Sequence, residues 1–289
     1  MKKLSIFIVS AFVMFSAVSS GYAIVGAGFH WGFDYSLSME PVTDEPVTLP
    51  GLDATVKSAL GDKSLITVSR TDWESSALNF GGKAYIDFLP FIEAIEFSCN
   101  FGLWQYKGSI NYADIGLDAN NSPTVTYKPV DLTVKSTGLD YWVLEGTPYA
   151  KLQLDATIRK EIVDFWVIKL SGGAGFSSHF TTPLLTAKLV EDVVGSKLNA
   201  ANADIGTLLG PQGDISKDIV NKIIDEALGN PVYGMHLLLG IKAKLPMIPV
   251  GLYLDGKYMI PFTKFDENAG DKGIDGWGLL LNAGISLSI

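Results

Sequence analysis

The sequence predicts an all-β protein, an antiparallel up-and-down transmembrane β-barrel of eight strands. The first observation is the last strand, where apolar residues alternate with small or polar ones from Trp277 to Ile289. This period of two is typical of a β-strand, and the run is longer than the roughly five to six residues of an average strand. Seven earlier segments repeat the pattern, and the N-terminus carries an export signal. A strand that is apolar on one side only fits a wall with lipid outside and polar groups inside.

The seven earlier segments and their connections also fit a membrane barrel. The segments lie at about 25–39, 78–88, 95–104, 150–159, 168–177, 233–244 and 250–262. Short turns are predicted at 89–90, 160–164 and 245–249, and long connections at 40–76, 106–147, 181–231 and 263–276. Short turns at one rim and long loops at the other are typical of outer-membrane barrels, whose even strand number brings both termini to the short-turn rim.

Two further segments leave the strand count open. Residues 64–70 and 124–134 are rich in residues that favour β-structure. They can extend barrel strands above the membrane, form an outer hairpin, or raise the count to ten. We expect eight strands, with ten as the alternative.

The N-terminus predicts export. Lys2 and Lys3 precede an apolar run over residues 4–18, and small residues at 21 and 23 form a cleavage site. We therefore expect a cleaved signal peptide over residues 1–23 and the barrel over 24–289. An anchor helix is disfavoured because the apolar run is shorter than the roughly 20 residues that span a bilayer.

The composition narrows the function classes. The chain of 289 residues is 47% apolar and holds 30 glycines, which suits an exported barrel better than a polar secreted enzyme. Its single cysteine, Cys99, excludes a disulfide framework. The net charge of −9 without basic runs argues against nucleic acid as a partner.

Outward-facing aromatic residues are expected at the two membrane interfaces. Near the short-turn rim these are Phe88, Phe91 and Trp166, and near the long-loop rim they are Phe33, Tyr35, Phe180, Tyr233, Phe262 and Trp277. This clustering favours a membrane barrel over a β-sandwich with aromatics scattered through its core.

The inward face of the predicted strands carries both signs of charge. The acids are Asp34, Asp87, Glu96, Asp155 and Asp255, and the bases are Lys83, Lys151, Arg159, Lys169, Lys242, Lys244 and Lys257. Unpaired buried charge is costly, and an eight-stranded barrel is only wide enough for its own side chains. We therefore expect a solid polar core of ion pairs, with a narrow pore lined by the excess bases as the alternative.

The histidines and neighbouring serines raise the question of a metal site or an active site. His30 and His236 face inward and His179 lies near the outer mouth, but no ligand spacing accompanies them, so we expect no metal and no other cofactor. Ser177 shares a face with His179, Ser178 points to the opposite face, and no nucleophile elbow surrounds either serine. We therefore expect no catalytic residues and no enzyme.

The longest loop, at about 183–230, contains two predicted helices. Helical spacing of apolar residues covers 186–198 and again 216–228, and a shorter helix is predicted at 52–60. These helices either cap the barrel mouth or present an apolar groove to a partner. The acidic loops 114–121 and 266–275 lack the spacing of a calcium loop and are expected to be solvated turns.

At the level of pattern, most of the mature chain resembles the small eight-stranded OmpA/OmpX-type barrels of Gram-negative outer membranes. The C-terminus is similar to the signal read by the barrel-assembly machinery, with Asn282, Gly284, Leu287 and Ile289 at its positions, although its last residue is usually aromatic. The resemblance implies outer-membrane lipid and the assembly machinery as partners. We expect a structural or surface-interaction role through the long loops, where an extracellular ligand or protein would bind. A narrow channel is the alternative, and a lipid-modifying enzyme is the third hypothesis.

Overall fold

The computed structural model describes residues 24–49, 58–74, 78–87, 94–120, 122–131, 134–135, 145–165, 167–201, 218–219, 222, 231–244, 249–265 and 274–288. The strands are β1 (Ile24–Asp34), β2 (Val42–Pro46), β3 (Ile66–Arg70), β4 (Leu78–Asp87), β5 (Ala94–Tyr106), β6 (Gly108–Leu117), β7 (Pro123–Asp131), β8 (Val134–Lys135), β9 (Glu145–Phe165), β10 (Ile168–Thr181), β11 (Val232–Lys244), β12 (Val250–Pro261) and β13 (Gly278–Ser288). A helix, α1 (Ala187–Ala201), follows β10. No helix in the described part of the chain is both long enough and apolar enough to cross a membrane.

Eight of the strands close into an antiparallel barrel. Around its wall the order is β1-β4-β5-β9-β10-β11-β12-β13, and β13 pairs with β1 to complete the ring. Every neighbouring pair in this ring is antiparallel. Closure removes the unpaired edges that an open sheet would present. The predicted eight-stranded antiparallel barrel is therefore confirmed.

The barrel wall is apolar outside and polar or small inside. On β11, Tyr233, Leu237 and Ile241 are exposed, whereas His236 and Gly240 between them are buried. The other seven strands also expose large apolar side chains, among them Phe29, Phe80, Phe97, Ile158, Phe176, Leu252 and Ile285. Soluble domains bury most such residues, so the polarity of this barrel is reversed relative to a soluble domain.

The hairpin of β9 and β10 is longer than the sequence predicts. The turn predicted at 160–164 is wrong, because these residues continue β9 and the chain reverses only after Phe165. A bulge at Ile162 shifts the register there. The charged residues of this stretch pair along the hairpin instead of entering solvent: Lys169 Nζ lies 2.7 Å from Glu161 and 2.9 Å from Asp164. The predicted turn at 89–90, and 245–248 of the third turn, lie outside the described residues.

Beyond the long-loop rim, a second antiparallel sheet has the order β2-β3-β6-β7. It contains most of the two segments that left the strand count open, so they do not enlarge the barrel to ten strands. The chain passes from the barrel to this sheet at Lys107, between β5 and β6. The acidic loop predicted at 114–121 is strand up to Leu117. A tight turn follows, in which Asp118 Oδ1 accepts hydrogen bonds from the backbone N–H of Asn120 and Ser122, both at 2.8 Å.

The second sheet and α1 share an apolar core at the long-loop mouth of the barrel, and we call β2, β3, β6, β7 and residues 182–201 the cap. Its core includes Ile66, Val68, Ile110, Leu184, Leu185, Val190 and Val194, joined by Trp104, Tyr106 and Tyr149 from the ends of β5 and β9. Burial of these side chains is the main favourable term that holds the cap on the barrel.

Helix α1 begins where the sequence predicts a helix. Thr186 Oγ1 accepts a hydrogen bond from the backbone N–H of Leu189 at 3.1 Å, which is the N-cap contact that threonine supplies. Val190, Val193 and Val194 then pack in the cap core, so the described part of the predicted apolar stripe is buried there. Of the other two predicted helices, only residues 58–60, 218–219 and 222 are described, and these residues are helical.

Candidate functional site

Six charged side chains lie buried inside the lumen, and we call them the lumen network. They are Lys83, Glu96, Asp155, Arg159, Asp255 and Lys257, and each is at most 7% exposed. They project inward from β4, β5, β9 and β12. Three acids and three bases balance one another, so this part of the lumen carries no net charge.

Arg159 joins two of the acids. Its Nη1 lies 2.7 Å from Glu96 Oε2, and its Nη2 lies 2.8 Å from Asp255 Oδ1. Lys83 Nζ contacts the same two carboxylates, at 3.2 Å and 2.5 Å. Gly240 makes room for this arrangement, because a Cβ atom there would collide with Arg159 Nη2 and Asp255 Oδ1. Each of these buried charges therefore has an opposite charge in hydrogen-bond reach, which offsets the cost of its desolvation.

Lys257 and Asp155 form the second half of the lumen network. Lys257 Nζ lies 2.7 Å from Asp155 Oδ2 and donates to Ser98 Oγ at 2.6 Å. The side-chain amide of Gln153 donates to both oxygens of the Asp155 carboxylate, each at 2.9 Å. The aspartate is thus held by a charge and by several neutral donors at once.

A serine, a histidine and the aspartate of this network lie together, but not in the arrangement of a nucleophile and its base. Ser177 Oγ donates to Asp155 Oδ1 at 2.8 Å and lies 2.8 Å from His236 Nδ1. Because an ionised carboxylate only accepts, the serine proton is committed to Asp155 and His236 Nδ1 donates to Ser177. His236 Nε2 then accepts from Thr157 Oγ1 at 2.8 Å. His236 therefore cannot take a proton from Ser177, as a catalytic base would.

The other two histidines, His30 and His179, are also held inside the barrel, and His179 faces away from Ser178, its neighbour in the sequence. Ser178 lies half-buried on the outer face, whereas His179 is 1% exposed and packs its ring edge on Phe265, with 5.1 Å between the ring centroids. His30 Nε2 lies 2.6 Å from Asn100 Oδ1. In the described part of the chain, no three His, Cys, Asp or Glu side chains converge as a metal-ligand set.

Two layers close the long-loop mouth. In the first, Lys151 Nζ lies 2.8 Å from Asp34 Oδ2 and 3.0 Å from Ser36 Oγ, and all three residues are buried. In the second, the Tyr106 hydroxyl accepts a hydrogen bond from the backbone N–H of Leu185 at 2.9 Å, which fixes the cap to the end of β5. A buried ion pair and the apolar cap core thus lie one above the other across this mouth.

The short-turn mouth differs, because it leads into a cavity of about 150 Å³. Lys242 and Lys244 line this cavity together with Tyr85, Ser286 and Ser288. Lys242 Nζ donates to Tyr85 Oη at 2.9 Å, and Lys244 Nζ donates to Ser288 Oγ at 3.3 Å. Neither lysine forms an ion pair with any described residue. Among the described lumen residues, the bases without an acidic partner are therefore located at this mouth.

The predicted interface aromatics at the long-loop rim face outward. Phe33, Tyr35, Tyr233, Phe262 and Trp277 are exposed, and Phe180 is half-buried. The outward aromatics are not confined to the rims, since Phe29 and Phe97 are exposed in the middle of the wall. Phe88, Phe91 and Trp166 lie outside the described residues. Sequence reasoning missed Phe165, which is 72% exposed at the short-turn rim, because it lies beyond the turn predicted at 160–164.

The residues of the predicted assembly signal alternate across the wall. Asn282 and Gly284 are buried inside and Leu287 is exposed outside. Gly284 also has a packing role, because a Cβ atom there would collide with the ring of Tyr253. Ile289 and the side chain of Asp87 lie outside the described residues.

No protein-family model matches the chain, and no curated protein matches it. Among solved structures, the chain is similar to the outer membrane protease OmpT from Escherichia coli, with 13% sequence identity and a TM-score of 0.34 over 94% of this chain and 99% of that chain. At these values the similarity says nothing about the activity of this chain. The resemblance to OmpA/OmpX-type barrels therefore rests on the strand pattern.

Proposed function

We propose that this protein is an integral outer-membrane β-barrel with a structural or surface-interaction role, and that its lumen does not conduct. The observation that carries the membrane assignment is the outer wall, where every barrel strand exposes large apolar side chains. Exposure to water costs roughly 25 cal/mol for each Å² of apolar surface, and acyl chains remove that cost. The export signal expected over residues 1–23 and the C-terminal assembly signal support the same location.

The proposed orientation follows from the two rims. The short turns and both ends of the described barrel face the periplasm, and the cap faces the cell exterior. The lumen network and the buried pair of Lys151 and Asp34 fill the interior, so the surface-interaction role belongs to the cap surface. An extracellular ligand or protein would bind there.

We also propose that the protein has no catalytic role. Ser177 is 2% exposed and donates its proton to Asp155, so it is neither reachable by a substrate nor activated by His236. The other buried acids and bases of the lumen network neutralise one another. A lipid-modifying activity would need a nucleophile that a neighbouring base activates, and Ser177 and His236 are not arranged in that way.

Fractionation and gel migration test the membrane assignment. The protein is expected to sediment with outer membranes, to stay there after alkaline carbonate extraction, and to migrate faster unboiled than boiled on a denaturing gel. A chain that remains soluble without detergent, or that migrates identically before and after boiling, contradicts the proposal.

The native cysteine tests the orientation of the wall. Cys99 is exposed on the outside of β5, so lipid is expected to shield it from a membrane-impermeant maleimide until the protein is denatured. In a Cys99→Ser background, Thr126→Cys introduces a thiol at an exposed position of β7 in the cap, and intact cells should be labelled. Rapid labelling of native Cys99 in membranes, or no labelling of Thr126→Cys, would refute this orientation.

Planar-bilayer recording discriminates the closed barrel from a channel. With both the lumen network and the cap in place, we expect no stable unitary conductance. Stable unitary steps from the purified protein would favour the channel hypothesis.

A further inference from the structure

The cavity at the short-turn mouth is basic in a protein that is acidic overall. The chain carries a net charge of −9. Among the described residues, the charged ones that line the cavity are nevertheless five bases, Lys83, Arg159, Lys169, Lys242 and Lys244, and two acids, Glu96 and Glu161. A concave site with an excess of one sign of charge focuses the electrostatic field and attracts ions of the opposite charge.

Two of the five bases have no acidic partner among the described residues. Lys83 and Arg159 are neutralised within the lumen network, and Lys169 pairs with Glu161. Among the described residues, Lys242 and Lys244 donate only to hydroxyl groups, and Lys242 Nζ also lies 4.6 Å from the centroid of the Tyr85 ring. No described carboxylate neutralises these two positive charges, so they are the charges that an anionic ligand would meet.

Hydrogen-bond donors around these two lysines also remain unused. A lysine ammonium has three N–H groups, and Lys242 and Lys244 each use one, toward Tyr85 and Ser288. Ser288 Oγ accepts from both Lys244 and Tyr85, at 3.3 Å and 3.0 Å, so its own hydrogen is available. Several free N–H and O–H donors thus surround the same cavity as the two charges.

We propose that this cavity binds a phosphate group, held by Lys242, Lys244 and Ser288. Phosphate is negatively charged and presents several strong acceptor oxygens, which match ammonium and hydroxyl donors. Lysine binds phosphate as a point charge on a flexible stem, without the planar geometry that arginine requires. The cavity of about 150 Å³ admits a single small anion and is smaller than the roughly 300–1,000 Å³ of pockets for drug-sized ligands. The phosphate is either free in the periplasm or the headgroup of a lipid in the adjacent leaflet.

The first experiment measures binding of inorganic phosphate to the mature chain, refolded in octyl glucoside, a detergent without phosphate. Isothermal titration at low salt is expected to give saturable binding of one phosphate per barrel. The double variant Lys242→Gln/Lys244→Gln is expected to lose affinity by about tenfold or more, because two charge-assisted contacts are removed. Acetate at the same concentration is expected not to displace phosphate. Absence of wild-type binding, equal affinity of the double variant, or displacement by acetate would overturn the proposal.

Lys160→Gln is the matched control. Lys160 lies near the same rim and its substitution removes one positive charge, as each of the two changes in the double variant does, but its side chain is exposed on the outer wall and does not line the cavity. We expect its affinity for phosphate to stay within about twofold of wild type, as for a surface substitution away from the site. If Lys160→Gln lost as much affinity for phosphate as the double variant, the loss would follow from the overall charge of the protein, and the proposal would be overturned. Heat-modifiable migration verifies the fold of each variant.

Lysine acetylation followed by mass spectrometry gives a second measurement that needs no variant. In octyl glucoside, added phosphate should slow the acetylation of Lys242 and Lys244 but not that of Lys160. If the double variant does not fold, this measurement decides: lack of phosphate-dependent protection overturns the proposal. Protection before any phosphate is added would indicate a carboxylate of the protein itself in the site, and would also overturn it.

Nanodiscs distinguish the two sources of phosphate. If a lipid headgroup fills the site, nanodiscs of phosphatidylglycerol should protect Lys242 and Lys244 without added phosphate, while octyl glucoside should not. If the ligand is soluble, the nanodiscs should protect the two lysines only after inorganic phosphate is added. Both results support a phosphate site and assign its occupant.

Discussion

The barrel and the cap of this protein are built with opposite polarity. In the barrel, charged residues such as Arg159 and Asp255 are buried and residues such as Leu237 and Ile285 are exposed. In the cap, Ile66 and its neighbours are buried in an apolar core, as in a soluble domain. One chain therefore has two kinds of core, a polar one in the barrel lumen and an apolar one in the cap, which meet at the long-loop mouth.

The two cores differ in what they require of their residues. Apolar burial is non-directional, and the cap loses stability in proportion to the contacts that a substitution removes. The lumen network is directional, and the loss of one member leaves its partners as unpaired buried charges. We therefore expect the lumen to respond more steeply to single substitutions than the cap, and the following changes test this from the largest effect to the smallest.

Arg159→Ala is expected to have the largest effect. It removes the group that contacts both Glu96 and Asp255 and leaves Lys83 as their shared close partner. Breaking a buried ion pair in this way costs about 3–5 kcal/mol of the free energy of unfolding. Urea unfolding in detergent, followed by tryptophan fluorescence, measures the change.

Lys160→Ala is the control for this variant, because Lys160 is the next residue of β9 and is exposed on the outer wall. Its effect should stay within about 0.5 kcal/mol, as for other exposed positions. Similar losses for the two variants would mean that the network contributes no more than a surface charge, and the proposed contrast between the two cores would fail.

Leu185→Ala tests the cap. Leu185 is fully buried in the cap core, and truncating a buried leucine costs about 2–5 kcal/mol. The loss should be local: limited proteolysis of the cap accelerates, while the heat-modifiable migration of the barrel is retained. Leu117→Ala, in β6 but 69% exposed, should leave proteolysis unchanged. Loss of barrel migration in Leu185→Ala would show that the two cores do not act separately.

Gly240→Ala tests how closely the lumen network is packed. The added methyl group collides with Arg159 and Asp255, and overpacking of this kind costs about 1–3 kcal/mol. Gly256→Ala on the neighbouring strand is the control, because its Cβ would be 3.5 Å from the nearest atom, an ordinary contact. Urea unfolding measures the free energy of unfolding of both variants. Equal changes would mean that Gly240→Ala acts only through the conformational freedom of the backbone and not through a collision with the lumen network.

The strands of the barrel were predictable because their period of two is local. Segments such as β11 and β13 alternate over a dozen positions, and each alternation sets which side chains face inward. The full length of the β9–β10 hairpin was not predictable. The charged residues around Glu161 and Asp164 are typical of a turn, and only their pairing with Lys169 shows that the strand continues through them. The second sheet was only partly visible, since its pairing of β3 with β6 joins segments far apart in the chain.

The lumen partners could not be paired from the sequence. The six charges of the lumen network were all identified by alternation, but Lys83 and Asp255 are separated by 172 positions and meet only after the barrel closes. Glu161, which also lines the lumen cavity, was missed because it lies in the stretch predicted as a turn. The same holds for the approach of Ser177 to His236. Among the described residues, Lys242 and Lys244 lack an acidic partner because the other lumen bases pair with the described acids, and strand register determines that pairing.

Thr186→Ala is expected to have the smallest effect and tests how far the cap depends on directional contacts. It removes the hydroxyl that accepts the hydrogen bond from the backbone N–H of Leu189, and loss of such an N-cap costs about 1 kcal/mol. Hydrogen exchange of the first-turn amides of α1 should accelerate accordingly. Thr186→Ser keeps the acceptor and should exchange nearly as wild type does. If serine and alanine behave alike, the N-cap contributes nothing, and packing of Val190 and Val194 alone positions the helix over the barrel mouth.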